Sequence, residues 1–311
     1  DLLPSAGRGG KSARTGGRNH QCHDVIRRCV SGSRGKEIPV KPIKTETPMT
    51  KPSSTPPILA DKHYQEPSVF TPASLLREAR RQKGAGKATV PNVCLLDPDG
   101  DIVRLLLADG RARRHDDWVC YHTDMWLFEL GEQALGIVGC AVGAAFAVLV
   151  AEEMFESGCE LLISVTSSGA ISPVAKPPYF VLIDRALRDE GVSYHYLPPS
   201  DWSDASDRLL ARLDEQWRET PALIRGSTWT TDAPFRETEA AIAAAKARGI
   251  AAVEMEAAGL YAFARAQDRD VICLAHVTNQ MGMIEGDFEK GEANGASDAL
   301  SVIAKLLHRL G

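Results

Sequence analysis

The sequence predicts an α/β fold: a single domain with a central mixed, mostly parallel sheet flanked by helices on both faces. Three observations predict it. Short runs of Val, Ile, Leu and Ala recur between amphipathic segments, as expected of strands buried on both faces of a parallel sheet. Glycines follow the intervening helical stretches, at Gly158 and Gly249, where a left-handed helix end suits them. The composition, 44% hydrophobic and 25% charged, is that of a soluble globular chain, and 311 residues suffice for one large domain.

Residues 1–66 are rich in Gly, Ser, Pro, Arg and Lys and have no sustained apolar period. A disordered or extended arm is expected there, with the folded domain over 67–311. Met49 follows a Pro/Thr-rich stretch and reads as the natural start, which would make residues 1–48 foreign to the natural protein. Ser74–Lys83 reads as a short basic helix, Asn92–Leu96 as a strand and Asp97–Asp101 as a turn. Leu135–Ala141 is a buried strand, Ala144–Glu156 a helix, and Leu161–Val165 a strand opening into a loop at Thr166–Ala170. Tyr179–Asp189 is ambiguous between strand and helix. Asp204–Arg218 carries Leu209, Leu213 and Trp217 on one helical face. Strands at Leu223–Gly226, Ala251–Val253 and Val271–Val277 alternate with helices at Glu237–Arg248 and Ala257–Ala266. Asp298–Leu310 closes the chain as a helix. Ligands of such sheets bind beyond strand carboxyl ends, which puts the segments after Val165, Gly226, Val253 and Val277 on one rim.

Charge and cysteines restrict the function classes. The chain is net −5, but residues 1–48 hold ten Lys/Arg against four Asp/Glu, leaving −11 on the remainder. That acidic body argues against nucleic acid as partner. Seven cysteines, the later ones within apolar runs, point to reduced thiols and a cytoplasmic location. The 18-residue apolar stretch Ala134–Ala151 is broken by Gly136, Gly139 and Gly143 and bordered by Glu132, Glu152 and Glu153, so no membrane span is expected. His20, Cys22, His23 and Cys29 fit no standard zinc spacing, and the Asp97–Asp101 turn lacks the downstream Glu of a calcium loop; no metal is expected.

Two segments concentrate chemistry. Val253-Glu254-Met255-Glu256-Ala257-Ala258 places two carboxylates and a thioether at a strand-to-helix junction. Thr166-Ser167-Ser168-Gly169-Ala170 supplies hydroxyls and backbone N–H groups as a candidate anion nest. A carboxylate at a helix N-terminus can hold vicinal sugar hydroxyls, and an anion nest can hold an attacking oxyanion. The pair suggests cleavage of a bond between a sugar and a base.

These residues resemble a known group. The 253–258 segment is similar to the ribose-binding motif of the nucleoside phosphorylase family, which includes uridine phosphorylase, bacterial purine nucleoside phosphorylase and related adenosyl-type nucleosidases. Ser167-Ser168-Gly169-Ala170-Ile171, with Pro173, resembles its phosphate-and-sugar loop. Arg188–Tyr196 resembles a stretch of the uridine branch, and Gly226–Asp232 with Phe235 resembles the base-side loop. The resemblance implies phosphorolysis of a nucleoside, uridine-like favoured, to free base and sugar 1-phosphate. It implies no cofactor beyond inorganic phosphate as co-substrate, and a homo-oligomer built on dimers, with trimer and hexamer as larger options. Hydrolysis on the same fold, or nucleoside binding without turnover, are the alternatives.

The same resemblance assigns roles. Glu256 holds the 2′- and 3′-hydroxyls, Met255 packs on the sugar, and Glu254 either joins them or is structural. Gly143 lines the sugar pocket as a close-approach glycine. Trp229 and Phe235 either stack on the base or belong to the core. Asn279, at a position where purine enzymes carry a catalytic Asp, and Gln280 contact the base. Ser167, Ser168 and Gly169 hold phosphate. The departures concern cations. Ser164 stands where the phosphorylases carry Arg, Thr166 where they carry Gly, and in Leu96-Asp97-Pro98-Asp99-Gly100 the next Arg is Arg104. Arg104 is therefore the first substitute phosphate ligand, with Arg111, Arg113 and Arg114 as others, from this subunit or a neighbour. His122 and His195 are either proton donors or structural.

Overall fold

A computed structural model describes residues 55–87, 89–172, 174–213, 221–280 and 290–311. Met49, Pro173 and Trp217, the arm up to residue 54, and the histidines and cysteines at 20–29 lie outside the described residues. In chain order the elements are α1 (Pro72–Lys83), β1 (Val93–Asp97), α2 (Asp101–Ala108), β2 (Ala112–Arg114), β3 (Trp126–Leu130), β4 (Gln133–Gly139), α3 (Ala144–Glu156), β5 (Leu161–Ala170), β6 (Tyr179–Asp189), α4 (Ser193–Tyr196), β7 (Trp202–Asp204), α5 (Asp207–Arg212), β8 (Leu223–Thr231), α6 (Glu239–Ala247), β9 (Ala252–Glu254), α7 (Ala257–Gln267), β10 (Asp270–Asn279) and α8 (Ala296–Leu310).

The sheet is mixed and lies between helices, as the sequence predicts. β5 runs parallel to β10 and β1, and β1 parallel to β4. β6, β8 and β9 are mutually parallel but run against β5 and β10. Because β5 also pairs with β9, the strands β5, β10, β6, β8 and β9 close into a ring, from which β1, β4, β3 and β2 extend as a wing. Successive residues of a strand face opposite sides. Cys94 and Leu96 of β1 accordingly pack with Ala147 and Met154 of α3 and with Leu260 of α7. Val93 and Leu95 pack with Leu106 of α2 and Ile303 of α8 on the other face.

Several expectations are corrected. Thr166–Ala170 is not a loop: it is the second half of β5, because β10 pairs Thr166–Gly169 from Ala275 to Asn279, with a register shift after Val277, and β9 pairs Gly169 and Ala170. Gly226–Thr231 is likewise strand, paired to β6 throughout. The helix expected from Asp204 begins at Asp207, since Trp202–Asp204 pairs with β6 as β7. α2 begins inside the expected turn, where the Asp97 carboxylate accepts the N–H groups of Gly100 and Val103. Of the expected arm, residues from Thr55 are described; Lys62 Nζ meets His195 Nδ1 at 3.0 Å, and Tyr64 donates to the Tyr194 carbonyl.

α3 and α7, the helices nearest the candidate site, are held together by Gly259. A Cβ there would stand 2.6 Å from Val192 Cγ1 and 2.8 Å from the Ala144 Cβ. Gly259→Ala gains roughly 1 kcal/mol of helix propensity but forces α3 and α7 apart, an overpacking cost of about 1–3 kcal/mol. The Ala144 Cβ is fixed to the α3 backbone and cannot swing away, so overpacking wins. A lower midpoint in thermal or urea unfolding is expected, and an unchanged or raised midpoint refutes close packing here.

Candidate active site

The site lies where two strands stop head-on. One edge of β5 is paired by β10. The other edge is paired by β1 up to Ser164 and by the oppositely running β9 from Gly169. Between them, the edge over 165–168 has no ladder partner on that side. The chain after β1 (Pro98–Gly100), the turn before α3 (Cys140–Gly143) and the turn after β9 (Met255–Glu256) converge on this opening.

Glu256 is the centre of the convergence. It is 1% exposed. Its Oε1 accepts the Gly143 N–H at 2.7 Å. Its Oε2 accepts Thr166 Oγ1 at 2.8 Å and the Met255 N–H at 3.3 Å. The carboxylate thus sits at the N-terminus of α3 as well as its own helix, where the helix dipoles favour negative charge. Burial nevertheless dominates and, with the charge of Glu254 behind it, pushes the Glu256 pKa up to about 7. Among the described residues no Lys or Arg pairs with it. An unpaired buried carboxylate with a raised pKa is a signature of functional sites.

Glu254 does different work. Its Oε1 accepts the hydroxyls of Thr228 and Thr230, and its Oε2 accepts the N–H groups of Glu256 and Ala257, both at 2.7 Å. Thr230 Oγ1 also accepts the Ala258 N–H. The first N–H groups of α7, which have no partner within the helix, are therefore satisfied by Glu254 and Thr230. All of Glu254's strong acceptor directions are spent inside the protein, so it is a positioning residue rather than a sugar ligand. Burial raises its pKa.

The remaining candidates divide. Met255 is half-buried beside Glu256. Gly143 donates its N–H to Glu256, but a Cβ there would meet nothing within 4 Å; its φ of +88° is what requires glycine, which corrects the close-approach reading. Trp229 is 5% exposed, donates to Asp189 and packs on Ile171, Ile250 and Val253. It points away from Thr228 and Thr230, which flank it on the strand and face Glu254, so it is core and not a base platform. Phe235 is fully exposed on a short turn, so its ring packs on none of the described residues. Asn279 is buried at the end of β10, in register with Gly169 across the edge of β5 opposite to the opening, and its Nδ2 donates to Thr278 Oγ1; Gln280 follows it, exposed. Ser168 is buried and donates to the Thr166 carbonyl, and Gly169 is held between β10 and β9. The expected nest therefore reduces to the Ser167 N–H, which donates to Asp99 Oδ2 at 3.0 Å. Arg104 is turned into the Asp99–Asp101 segment: its Nη2 donates to the Asp99 carbonyl and the Asp101 carboxylate. His195 lies with Lys62, away from this group.

Sequence reasoning missed Thr166 as a Glu256 partner, and Asp99, Lys290 and His276 altogether. For Thr166 the signal was available: hydroxyls at 166 and 168 alternate with the other face of β5. No group of metal-ligating side chains occurs among the described residues, and the five described cysteines are free thiols, Cys140 exposed and the others buried. No described helix is long and apolar enough to cross a membrane.

This architecture is an α/β fold whose mixed sheet carries a strand-end opening built around a buried carboxylate. Residues 95–309 match the Phosphorylase superfamily, and the chain belongs to that family. It is 29% identical over 133 residues to a DeoD-type purine nucleoside phosphorylase of Myxococcus xanthus, covering 42% of this chain and 56% of that protein. It is 27% identical over 150 residues to the DeoD-type enzyme of Shewanella denitrificans, covering 47% and 64%. The chain thus spans less than two thirds of these curated relatives. In fold it is similar to the 5′-methylthioadenosine/S-adenosyl homocysteine nucleosidase of Campylobacter jejuni (TM-score 0.58, 17% identity, 70% of this chain and 99% of that one). It is also similar to uridine phosphorylase of Vibrio fischeri (TM-score 0.57, 18% identity, 71% and 90%).

Proposed function

We propose that this chain cleaves the N-glycosidic bond of a nucleoside, gripping the pentose through its vicinal hydroxyls on Glu256. The observation that carries the reading is a buried carboxylate with no cationic partner among the described residues, set between a half-buried Met255 and the open space at Gly143. A carboxylate offers about four acceptor directions, and three are used. Sugar hydroxyls can take the fourth and displace the Thr166 hydroxyl. The transition state carries positive charge at the anomeric carbon; an unneutralised carboxylate in a low-dielectric pocket stabilises that charge far better than it would in water. Asn279, with a donor and an acceptor on one carboxamide, suits the imide edge of a uracil-type base and helps hold the departing negative charge. These arguments favour a pentosyl-transfer enzyme acting on a uridine-like nucleoside. The acceptor that completes the transfer, phosphate or water, depends on the charges around Ser167.

Base release from a panel of purine and pyrimidine nucleosides, with and without phosphate, tests the reading. We expect release, fastest with a uridine-like substrate. The diol needs the ionised form of Glu256, so kcat/KM in the free enzyme is expected to rise with pH and level off above about 7. No release from any nucleoside under either condition removes the proposal.

A further inference from the structure

We infer that the anion position at the open edge of β5 is filled by the chain's own Asp99, so that inorganic phosphate is excluded and the acceptor is water. The inference rests on the cleavage reading above for its reaction, but its structural half stands independently. The Ser167 N–H is the donor that points from β5 into the gap between β1 and β9, and Asp99 Oδ2 already accepts it at 3.0 Å. The nearby cations are engaged by carboxylates. Lys290 Nζ lies 3.5 Å from Asp99 Oδ2 and 2.8 Å from Asp101 Oδ2. Arg104 Nη2 lies 2.6 Å from Asp101 Oδ1, which Asn294 also supports. Asp97, Asp99 and Asp101 thus outnumber Arg104 and Lys290, and an incoming dianion would face net negative charge.

Size points the same way. Behind Asp99, on the α2/α8 side of the sheet, a cavity lined by Asp97, Asp101, Val165, Ser167, His276 and Asn294 measures about 20 Å³. That is room for about one water molecule, so Asp99 has no space there into which to withdraw and leave the Ser167 N–H to a phosphate. His276, 5% exposed, lines this cavity, and its Nε2 is buried without a hydrogen-bond partner among the described residues. Burial, with Lys290 beyond it, lowers its pKa to about 4, so His276 is neutral near pH 7 and adds no positive charge for an anion.

In the hydrolytic step the water oxygen bonds to the anomeric carbon as the carbon–nitrogen bond breaks. The bonding pair leaves with the base, the water loses one proton and the base gains one, giving free sugar and free base.

Calorimetric titration of inorganic phosphate into the protein, without nucleoside, is the first arm. No binding is expected up to tens of millimolar, and Asp99→Asn and Asp99→Ser are each expected to gain binding at least about tenfold tighter. Phosphate binding by the unaltered protein at or below millimolar concentration overturns the inference, as does failure of both folded variants to gain any. The second arm is turnover in ¹⁸O-labelled water with phosphate present. Label on the anomeric hydroxyl is expected; sugar 1-phosphate as product overturns the inference. Absence of base release counts against the cleavage reading and, with it, the assignment of water as acceptor, while the titration still decides whether Asp99 closes the position.

Discussion

Glu256→Gln is expected to lower kcat/KM for nucleoside cleavage by about 10²–10³-fold, the loss typical of removing one preorganised electrostatic contact to a transition state. The amide keeps the size of the side chain; its oxygen can still accept the Gly143 N–H, while its nitrogen can donate to Thr166 Oγ1 but no longer accepts the Met255 N–H, so the fold survives with the charge and one weak hydrogen bond lost. A carboxylate that merely capped α3 would give a different result, with a fall in stability and little change in turnover per folded molecule. Stability provides a second readout. Burial holds the Glu256 proton more tightly in the folded than in the unfolded chain, so this group's contribution is complete at pH below the ordinary carboxylate range and is lost as pH rises towards about 7. The variant, which does not titrate, is expected to show a shallower decline of stability over that interval. Equal slopes would mean that Glu256 is not buried as described.

Glu254→Ala is expected to have the largest effect on folding. It strips the partners from two threonine hydroxyls and two backbone N–H groups, all buried at the start of α7. Each buried donor left unsatisfied costs about 1–3 kcal/mol, and with the relief of repulsion on Glu256 set against them the net loss is about 3–5 kcal/mol, which in a domain of this size lowers the unfolding midpoint by roughly 10 °C. Differential scanning calorimetry measures it directly. A loss under about 1 kcal/mol would show that water replaces the carboxylate readily, in the manner of an exposed cap. Glu254→Gln should fall between, since its amide can meet the threonine hydroxyls but adds a donor opposite an N–H.

The Glu256 side of this candidate site was legible because its cues are local. A carboxylate between an apolar strand and an Ala-rich helix is in general a helix-terminal charge; the resemblance of the whole 253–258 segment singled it out, and Glu256 lies at that strand-to-helix junction. Thr166–Ala170 misled because small and hydroxyl residues suggest a turn, whereas a neighbouring strand can hold any such segment extended; β10 does so here. Trp229 shows a similar conflict. The alternation Thr228-Trp229-Thr230 already implied that the indole and the hydroxyls face opposite ways, but the motif drew attention to the aromatic ring. The Asp99 network left no trace in local pattern, since Lys290 and Asp101 stand 189 residues apart. Only the packing of α8 against α2 brings them together.

The meeting of two oppositely directed strands at the bare edge of β5 has an evolutionary consequence. On the proposed reading, the residues that grip the sugar follow one strand and those that select the attacking molecule follow the other, with no covalent neighbour in common. Under that proposal, substitutions in 97–104 exchange one attacking molecule for another while the pentose stays where it was. A fold arranged in this way can change reaction type by small steps without first surrendering its substrate.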